Sequence, residues 1–254
     1  MSDVLLTYGW VRSSYSALRN LKKHNLQVFV SDSSSIGMSQ LSRFSSGFKK
    51  YTSHYEDENM FISDILNICS SREIKLILPS HNETEIIARH RHKFSDGLVA
   101  MIPDEFHCRM LNNKSDAYDY VSNLGVSIPS RIQYADPNLV SQVLKNRSVE
   151  KTAIKLLTSN SSKGVFYGEN PEHSQSIVKE LIEKYKLIPS RYPQIEEYVK
   201  GEGYGCSVLY SKGEFITHFT HRRLRDKIET GGTSTFREAS VHEGIEAATK
   251  TIFD

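Results

Sequence analysis

The chain has 254 residues, 38% of them hydrophobic and 24% charged, an ordinary composition for a globular protein of roughly two domains. A net charge of +2 gives no ground for nucleic-acid binding. Cys69, Cys108 and Cys206 lie far apart, which argues against a disulfide framework or a zinc site. No stretch approaches transmembrane length, and Met1–Gly9 lacks a basic segment followed by a long apolar run. The expectation is a soluble, cytoplasmic protein with no membrane and no nucleic-acid partner.

The first hundred residues alternate strand and helix signals. Val4–Tyr8 reads as a strand, 9–14 as a turn and Tyr15–His24 as a helix through Ala17, Leu18 and Leu21. Leu26–Ser31 is a second strand, stopped by Asp32 and a serine cluster. Asp57 to Asn59 can cap a helix with Phe61, Ile62, Ile65, Leu66 and Cys69 on its inner face. Ile74–Leu78 and Leu98–Ile102 read as further strands, with Glu83–Phe94 helical between them. Such alternation predicts a parallel sheet covered by helices on both faces, with ligands at the carboxyl ends of its strands. The first turn, Gly9-Trp-Val-Arg, has one of the three glycines of a dinucleotide fingerprint, and Trp10 would crowd a pyrophosphate. A nicotinamide or flavin site fails there. His90 and His92 read as surface residues, and Glu83 is a weak substrate-site candidate.

Asn112 or Asn113 starts a helix that Gly125 ends. A strand at Arg131–Tyr134 and a helix from Asp136-Pro137 follow. Then comes Thr152-Ala-Ile-Lys-Leu-Leu-Thr-Ser-Asn-Ser-Ser-Lys-Gly-Val165, in which an apolar strand carries one lysine, Lys155, ahead of a small-residue loop. A strand lysine beside backbone N–H groups suits a nucleotide phosphate. A β-hairpin with a solvated lysine fits those residues equally well. Pro171–Tyr185 reads as a helix with Ile177, Leu181 and Ile182 inward. Gln194–Val199 has strand character, Ser207–Tyr210 and Glu214–Phe219 form a hairpin, and His221–Phe236 is a basic run ending in a mobile-looking glycine loop. Arg237–Phe253 reads as a final helix.

The order of these pieces resembles the ATP-grasp superfamily, near its carbamoyl-phosphate-synthase-like and amino-acid ligase branches. The resemblance rests on the leading Rossmann-like domain and the helix Asn113-Lys-Ser-Asp. It continues through Ile154-Lys155 with Ser161-Ser-Lys-Gly164, Glu196-Glu-Tyr-Val199 with Gly201-Glu-Gly-Tyr-Gly205, and Arg222-Arg-Leu-Arg with Gly231-Gly-Thr-Ser-Thr235. It implies an α/β chain in three parts: a pre-ATP-grasp domain over 1–112, an ATP-grasp lid over 113–195, and a partial ATP-grasp core over 196–254. It further implies ATP and magnesium as cofactors. Lys114 and Lys155 would reach the nucleotide, and Ser161, Ser162, Lys163 and Gly164 would close over its phosphates. Glu196 would accept from the adenine amino group, and the backbone of Glu197, Tyr198 and Val199 would read the rest of the adenine edge. Arg225 would meet a phosphate or acyl-phosphate.

Two departures stand out. Where many family members place a ribose-binding acid or histidine, this chain has Gly203 and Tyr204, so Glu202 would have to substitute. The family's metal-ligand strands are expected beyond Asp254, so no metal ligand is assigned here. The implied function is an ATP-dependent carboxylate–amine (or –thiol) ligase acting through an acyl-phosphate on small substrates, with a homodimer allowed. The alternative is a non-catalytic ATP-binding or regulatory module.

Overall fold

The computed structural model describes residues 3–159, 164–228 and 231–253. The chain forms two compact units, Met1–Arg109 and Met110–Asp254. In the first, β1 (Val4–Leu6), α1 (Arg12–Lys23), β2 (Val28–Asp32), β3 (Phe48–Lys50), α2 (Glu58–Arg72), β4 (Leu76–Leu78), α3 (Glu83–Arg89) and α4 (Glu105–Asn112, running into the second unit) follow in order. The strands form a sheet in the order β3-β2-β1-β4, every pair parallel.

Alternation of side chains along a strand divides this sheet's two faces. Val4, Leu6, Val28 and Val30 pack with Leu18 of α1. Leu5, Phe29 and Ile77 pack on the other face with Phe61, Ile62, Ile65 and Ile68 of α2 and Ile87 of α3. The Asp57 side chain accepts the Met60 N–H at 2.9 Å, capping α2 as its sequence predicts. Ile68 takes the buried place expected for Leu66, which packs only partly against this core.

Other expectations are corrected. Helix α1 starts at Arg12, inside the expected turn, because the Ser14 hydroxyl is buried and donates to the Tyr8 carbonyl at 2.8 Å. Leu98–Ile102 forms turns. Only the Leu98 carbonyl meets the sheet, accepting from Ile77 N–H at 2.8 Å, while Val99 and Ile102 are buried as loop residues. The strand β3 and the helix α4 carried no sequence expectation. His90 ends α3 half-buried, its Nε2 2.8 Å from Glu58, instead of lying free on the surface. Asp32 is the buried last residue of β2, and its carboxylate accepts from the N–H groups of Trp10 and Ser34 at 3.0 and 2.8 Å.

The second unit contains α5 (Lys114–Asn123), β5 (Arg131–Ile132), α6 (Val140–Asn146), β6 (Thr152–Lys155), β7 (Val165–Gly168), α7 (Pro171–Tyr185), β8 (Gln194–Glu197), β9 (Tyr204–Ser211), β10 (Glu214–Ile228), β11 (Gly231–Ala239) and α8 (Glu243–Phe253). Strands β5-β8-β6-β7 form an antiparallel sheet, and β9, β10 and β11 form a second one. Helices α6 and α7 cover one face of the first sheet, burying Val140, Leu144, Val178 and Leu181 against Ile132, Ile154 and Ile195. On α7, Val178 with Leu181 makes the buried stripe, and Ile177 and Ile182 flank it. Residues 231–239, expected as a glycine loop and the start of the last helix, are strand β11, so that helix is shortened to α8. Strand β8 straddles the boundary expected at 195/196.

Glu83 begins α3 and is fully buried; burial pushes its carboxyl pKa up. A raised folded-state pKa means that the associated stability is complete below the unfolded value of about 4.3 and is lost as pH rises through the folded value. We expect Glu83→Gln to raise the melting temperature of this unit at pH 8 and to have little effect at pH 4. Fluorescence of Trp10, the only tryptophan, reports on this unit. A difference that is the same at both pH values would contradict the assignment.

Candidate functional site

The face of the β5-β8-β6-β7 sheet opposite α6 and α7 carries the chemistry. In the β6–β8 register Lys155 pairs with Gln194 and Ala153 with Glu196. Cross-strand partners and alternate residues share a face, so Lys155, Gln194 and Glu196 lie together, opposite the face where Ile154 and Ile195 meet the helices. Lys155 Nζ donates to Glu196 Oε2 at 2.5 Å, and Gln194 Nε2 donates to Glu196 Oε1 at 2.7 Å. The Glu196 side chain is 5% exposed and that of Lys155 27%. Gln194 Oε1 is buried with no hydrogen-bond partner among the described residues. Nothing in the sequence marks Gln194 beyond its place two residues before Glu196.

Lys114 arrives from the first turn of α5. Asn113 caps that helix by accepting from the N–H groups of Ser115 and Asp116, and the Lys114 N–H donates to the Leu157 carbonyl at 2.9 Å. Its ammonium donates to the carbonyl and hydroxyl of Ser159 at 2.8 and 2.9 Å. Burial, and then the nearby Lys155 ammonium, hold its pKa below the usual lysine value. Two lysines of like charge are therefore held near each other, an arrangement that an anion between them would relieve.

Lys155 ends β6, and the chain returns at Gly164, whose carbonyl accepts from Leu156 N–H at 2.8 Å. A Cβ on Gly164 would lie 2.3 Å from Ser159 Oγ, so this glycine makes room for the residue that receives Lys114. Ser161, Ser162 and Lys163 lie outside the described residues.

The hinge after Glu196 is only partly available. The N–H of Glu197 donates to the Ser130 carbonyl at 2.9 Å and that of Tyr198 to the Lys151 carbonyl at 3.0 Å. Of the three hinge residues expected to read adenine through their backbone, Val199 alone has no protein acceptor for its N–H among the described residues. The sheet thus already uses the amides of Glu197 and Tyr198.

Arg225 lies in β10 and Glu202 two residues before β9. Glu202 is paired with Arg222 and lies 3.4 Å from the Tyr204 hydroxyl. Arg225 sits where the β10–β11 register shifts, and its Nε donates to Thr235 Oγ1 at 3.2 Å. Among the described residues neither has a hydrogen bond or ion pair with Lys155, Lys114 or Glu196. Arg131, legible in the sequence only as the start of a strand, faces Glu196 across β5–β8. Its guanidinium lies 4.4 Å over the Tyr118 ring and pairs with Asp119, tying α5 to the sheet edge. Among the described residues no group of three or more His, Cys, Asp or Glu is placed to hold a metal ion.

No protein-family model matches the chain, and no curated protein matches its sequence. Solved structures match its fold. A biotin carboxylase–β,γ-ATP complex from Campylobacter jejuni aligns over 99% of this chain and 60% of its own, at 14% identity and a TM-score of 0.72. The L-amino acid ligase of Bacillus licheniformis aligns over 98% and 60%, at 10% identity and a TM-score of 0.67. The biotin carboxylase domain dimer of the Hydrogenobacter thermophilus 2-oxoglutarate carboxylase, in complex with MgADP, ADP and bicarbonate, aligns over 89% and 51%, at 12% identity and a TM-score of 0.66. The chain thus spans about half to three fifths of the length of these structures. At such identities the likeness speaks for architecture alone, and the architecture of this chain is the ATP-grasp fold.

Proposed function

We propose that the chain binds ATP on the polar face of the β5-β8-β6-β7 sheet. In this reading it supplies the nucleotide half of a ligase that joins a carboxylate to an amine or thiol. The observation that carries this reading is the gathering of Lys155, Gln194 and Glu196 on one sheet face, with Lys114 brought in beside Lys155. Adenine presents a donor at its 6-amino group and an acceptor at N1. Glu196, whose two oxygens have lone pairs beyond those used by Lys155 and Gln194, accepts from the amino group, and Gln194 Oε1 is a second acceptor. The Val199 N–H donates to N1. Lys155 and Lys114 meet the phosphates.

The proposed reaction transfers the γ-phosphoryl group to a carboxylate oxygen and releases ADP. The nucleophile then attacks the acyl carbon and phosphate leaves. Positioning and charge neutralisation would supply most of the acceleration, so no nucleophilic triad is required. Magnesium would neutralise phosphate charge, and the described residues contribute cations to that task, with no metal-ligand cluster among them. Complexes of two matched carboxylases with ATP or with MgADP and bicarbonate support nucleotide and small carboxylate ligands for this fold. Arg225 and Glu202 remain proposed contacts for acyl-phosphate and ribose that would require their present partners to be exchanged.

Isothermal titration of the chain with ATP and magnesium tests the site. Lys155→Ala should weaken binding by about tenfold or more, the loss of a charge-assisted hydrogen bond. Purine riboside triphosphate, which lacks the 6-amino group, should bind less tightly than ATP, and Glu196→Ala should close most of that gap. Unchanged ATP affinity in Lys155→Ala would remove the assignment. Gly164→Ala should destabilise the second unit by about 1–3 kcal/mol through overpacking against Ser159. Adding Ser159→Gly should restore most of the loss in a thermal melt. A double variant no more stable than the single one would show that the clash lies elsewhere.

A further inference from the structure

The first turn of the chain, which the nucleotide site does not use, belongs to an exposed apolar patch. Trp10 stands between β1 and α1, and 52% of it is exposed. The loop 33–47 that joins β2 to β3 folds back against it. Ser39 N–H donates to the Gly9 carbonyl at 3.2 Å, and the N–H groups of Trp10 and Ser34 share the Asp32 carboxylate. A Cβ on Gly37 would lie 2.7 Å from Trp10 Cα, so glycine is what lets the loop come this close. Ile36 and Met38, on either side of that contact, are 73% and 43% exposed. Leu41 N–H donates to the Gly37 carbonyl at 3.2 Å, and the residue is 75% exposed. Four large apolar side chains therefore leave the surface at one place.

This loop inverts the usual order of burial. Ser39 is fully buried, and among the described residues neither its hydroxyl nor Gln40 Oε1 has a hydrogen-bond partner. Met38 and Leu41, which flank these two residues, face outward. Burying unpaired polar atoms while exposing apolar neighbours costs stability twice. Stability alone favours the opposite arrangement, so the outward apolar side chains point to a surface that covers them.

Charge identifies that surface. From Val4 to Tyr55 the chain has seven lysines and arginines and one acid, Asp32, which is buried beneath the loop. The whole chain nets only +2, so the cationic excess is local to this segment. Arg12 and Arg43, each two residues from a member of the patch, are exposed. The Arg43 guanidinium lies 5.3 Å over the Phe44 ring, and among the described residues neither arginine is in an ion pair. Indole and aliphatic groups projecting beside unpaired cations match a lipid surface with anionic headgroups. A cleft for a partner helix would have Ile36 and Leu41 line its walls, whereas here they project from a loop. No helix among the described residues is long and apolar enough to cross a membrane, which bears on crossing one and not on lying against it.

We propose that Trp10, Ile36, Met38 and Leu41 dock the first unit on an anionic lipid surface, with Arg12 and Arg43 meeting its headgroups. This replaces the sequence expectation of no membrane partner and is independent of the nucleotide reading. Trp10 is the only tryptophan, so its emission reports the contact directly. The full chain is mixed with vesicles of phosphatidylcholine alone, or of phosphatidylcholine with about one third phosphatidylglycerol. With the mixed vesicles the emission should move to shorter wavelength and the protein should sediment with the lipid. With phosphatidylcholine alone it should do neither. Ile36→Asp combined with Leu41→Asp should abolish both effects. Arg12→Ser combined with Arg43→Ser should weaken binding by about tenfold or more. All four side chains are exposed, so circular dichroism of these variants should match that of the parent. The proposal is overturned if the mixed vesicles change neither emission nor sedimentation, if phosphatidylcholine alone binds as well, or if folded variants bind like the parent. A Trp10 shift with soluble polyglutamate and none with vesicles would also overturn it, assigning the patch to an acidic protein.

Discussion

The ion pair between Lys155 and Glu196 is the constraint around which the second unit is arranged. It joins neighbouring antiparallel strands, and the Glu196 side chain is almost wholly buried. A buried pair gains little net stability over apolar residues of the same volume, because desolvation offsets the attraction. The sheet has no structural need of it. The same strands fill their other face with Ile154 and Ile195, which shows what stability alone would select. Gln194 next to the pair adds an acceptor with no partner, a further cost that packing does not explain. A polar face maintained against these costs fits a ligand that brings both charge and hydrogen-bond donors.

The elements around the pair serve to position it. The cap at Asn113 fixes the start of α5 and so the place of Lys114. Gly164 allows Ser159 to approach and receive that lysine. Arg131, stacked on Tyr118, ties α5 to the strand opposite Glu196. Helices α6 and α7 pack on the opposite, apolar face. In the first unit the same alternation produces two apolar faces, and polar groups are confined to the strand ends.

Much of this was legible in the chain because local signals and tertiary structure agreed. Asp57, the Asn112-Asn113 pair and Pro171 marked helix starts, and the structure caps those helices with Asp57, Asn113 and Asn170. Lys155 was conspicuous as a cation in an apolar strand. Other features had no local signature. Strand β3 is three residues long and two of them are lysines, so its pairing with β2 is set by the sheet alone. Strand β10 runs through a charged stretch with shifted register, which erased the period of two and made β11 read as a loop. Leu98–Ile102 gave a strand signal because Val99 and Ile102 are core residues, although their backbone turns. The commitment of the Glu197 and Tyr198 amides to Ser130 and Lys151 depends on contacts distant in sequence and was not readable from it.

The account stands most directly on where a nucleotide sits. A crystal structure of the chain with a non-hydrolysable ATP analogue should place the adenine against Glu196 and the Val199 N–H, with phosphate oxygens at Lys155 and Lys114 and the Lys155–Glu196 pair opened or lengthened. An analogue bound away from this sheet face, with that pair and the Lys114–Ser159 contacts unchanged, would contradict it.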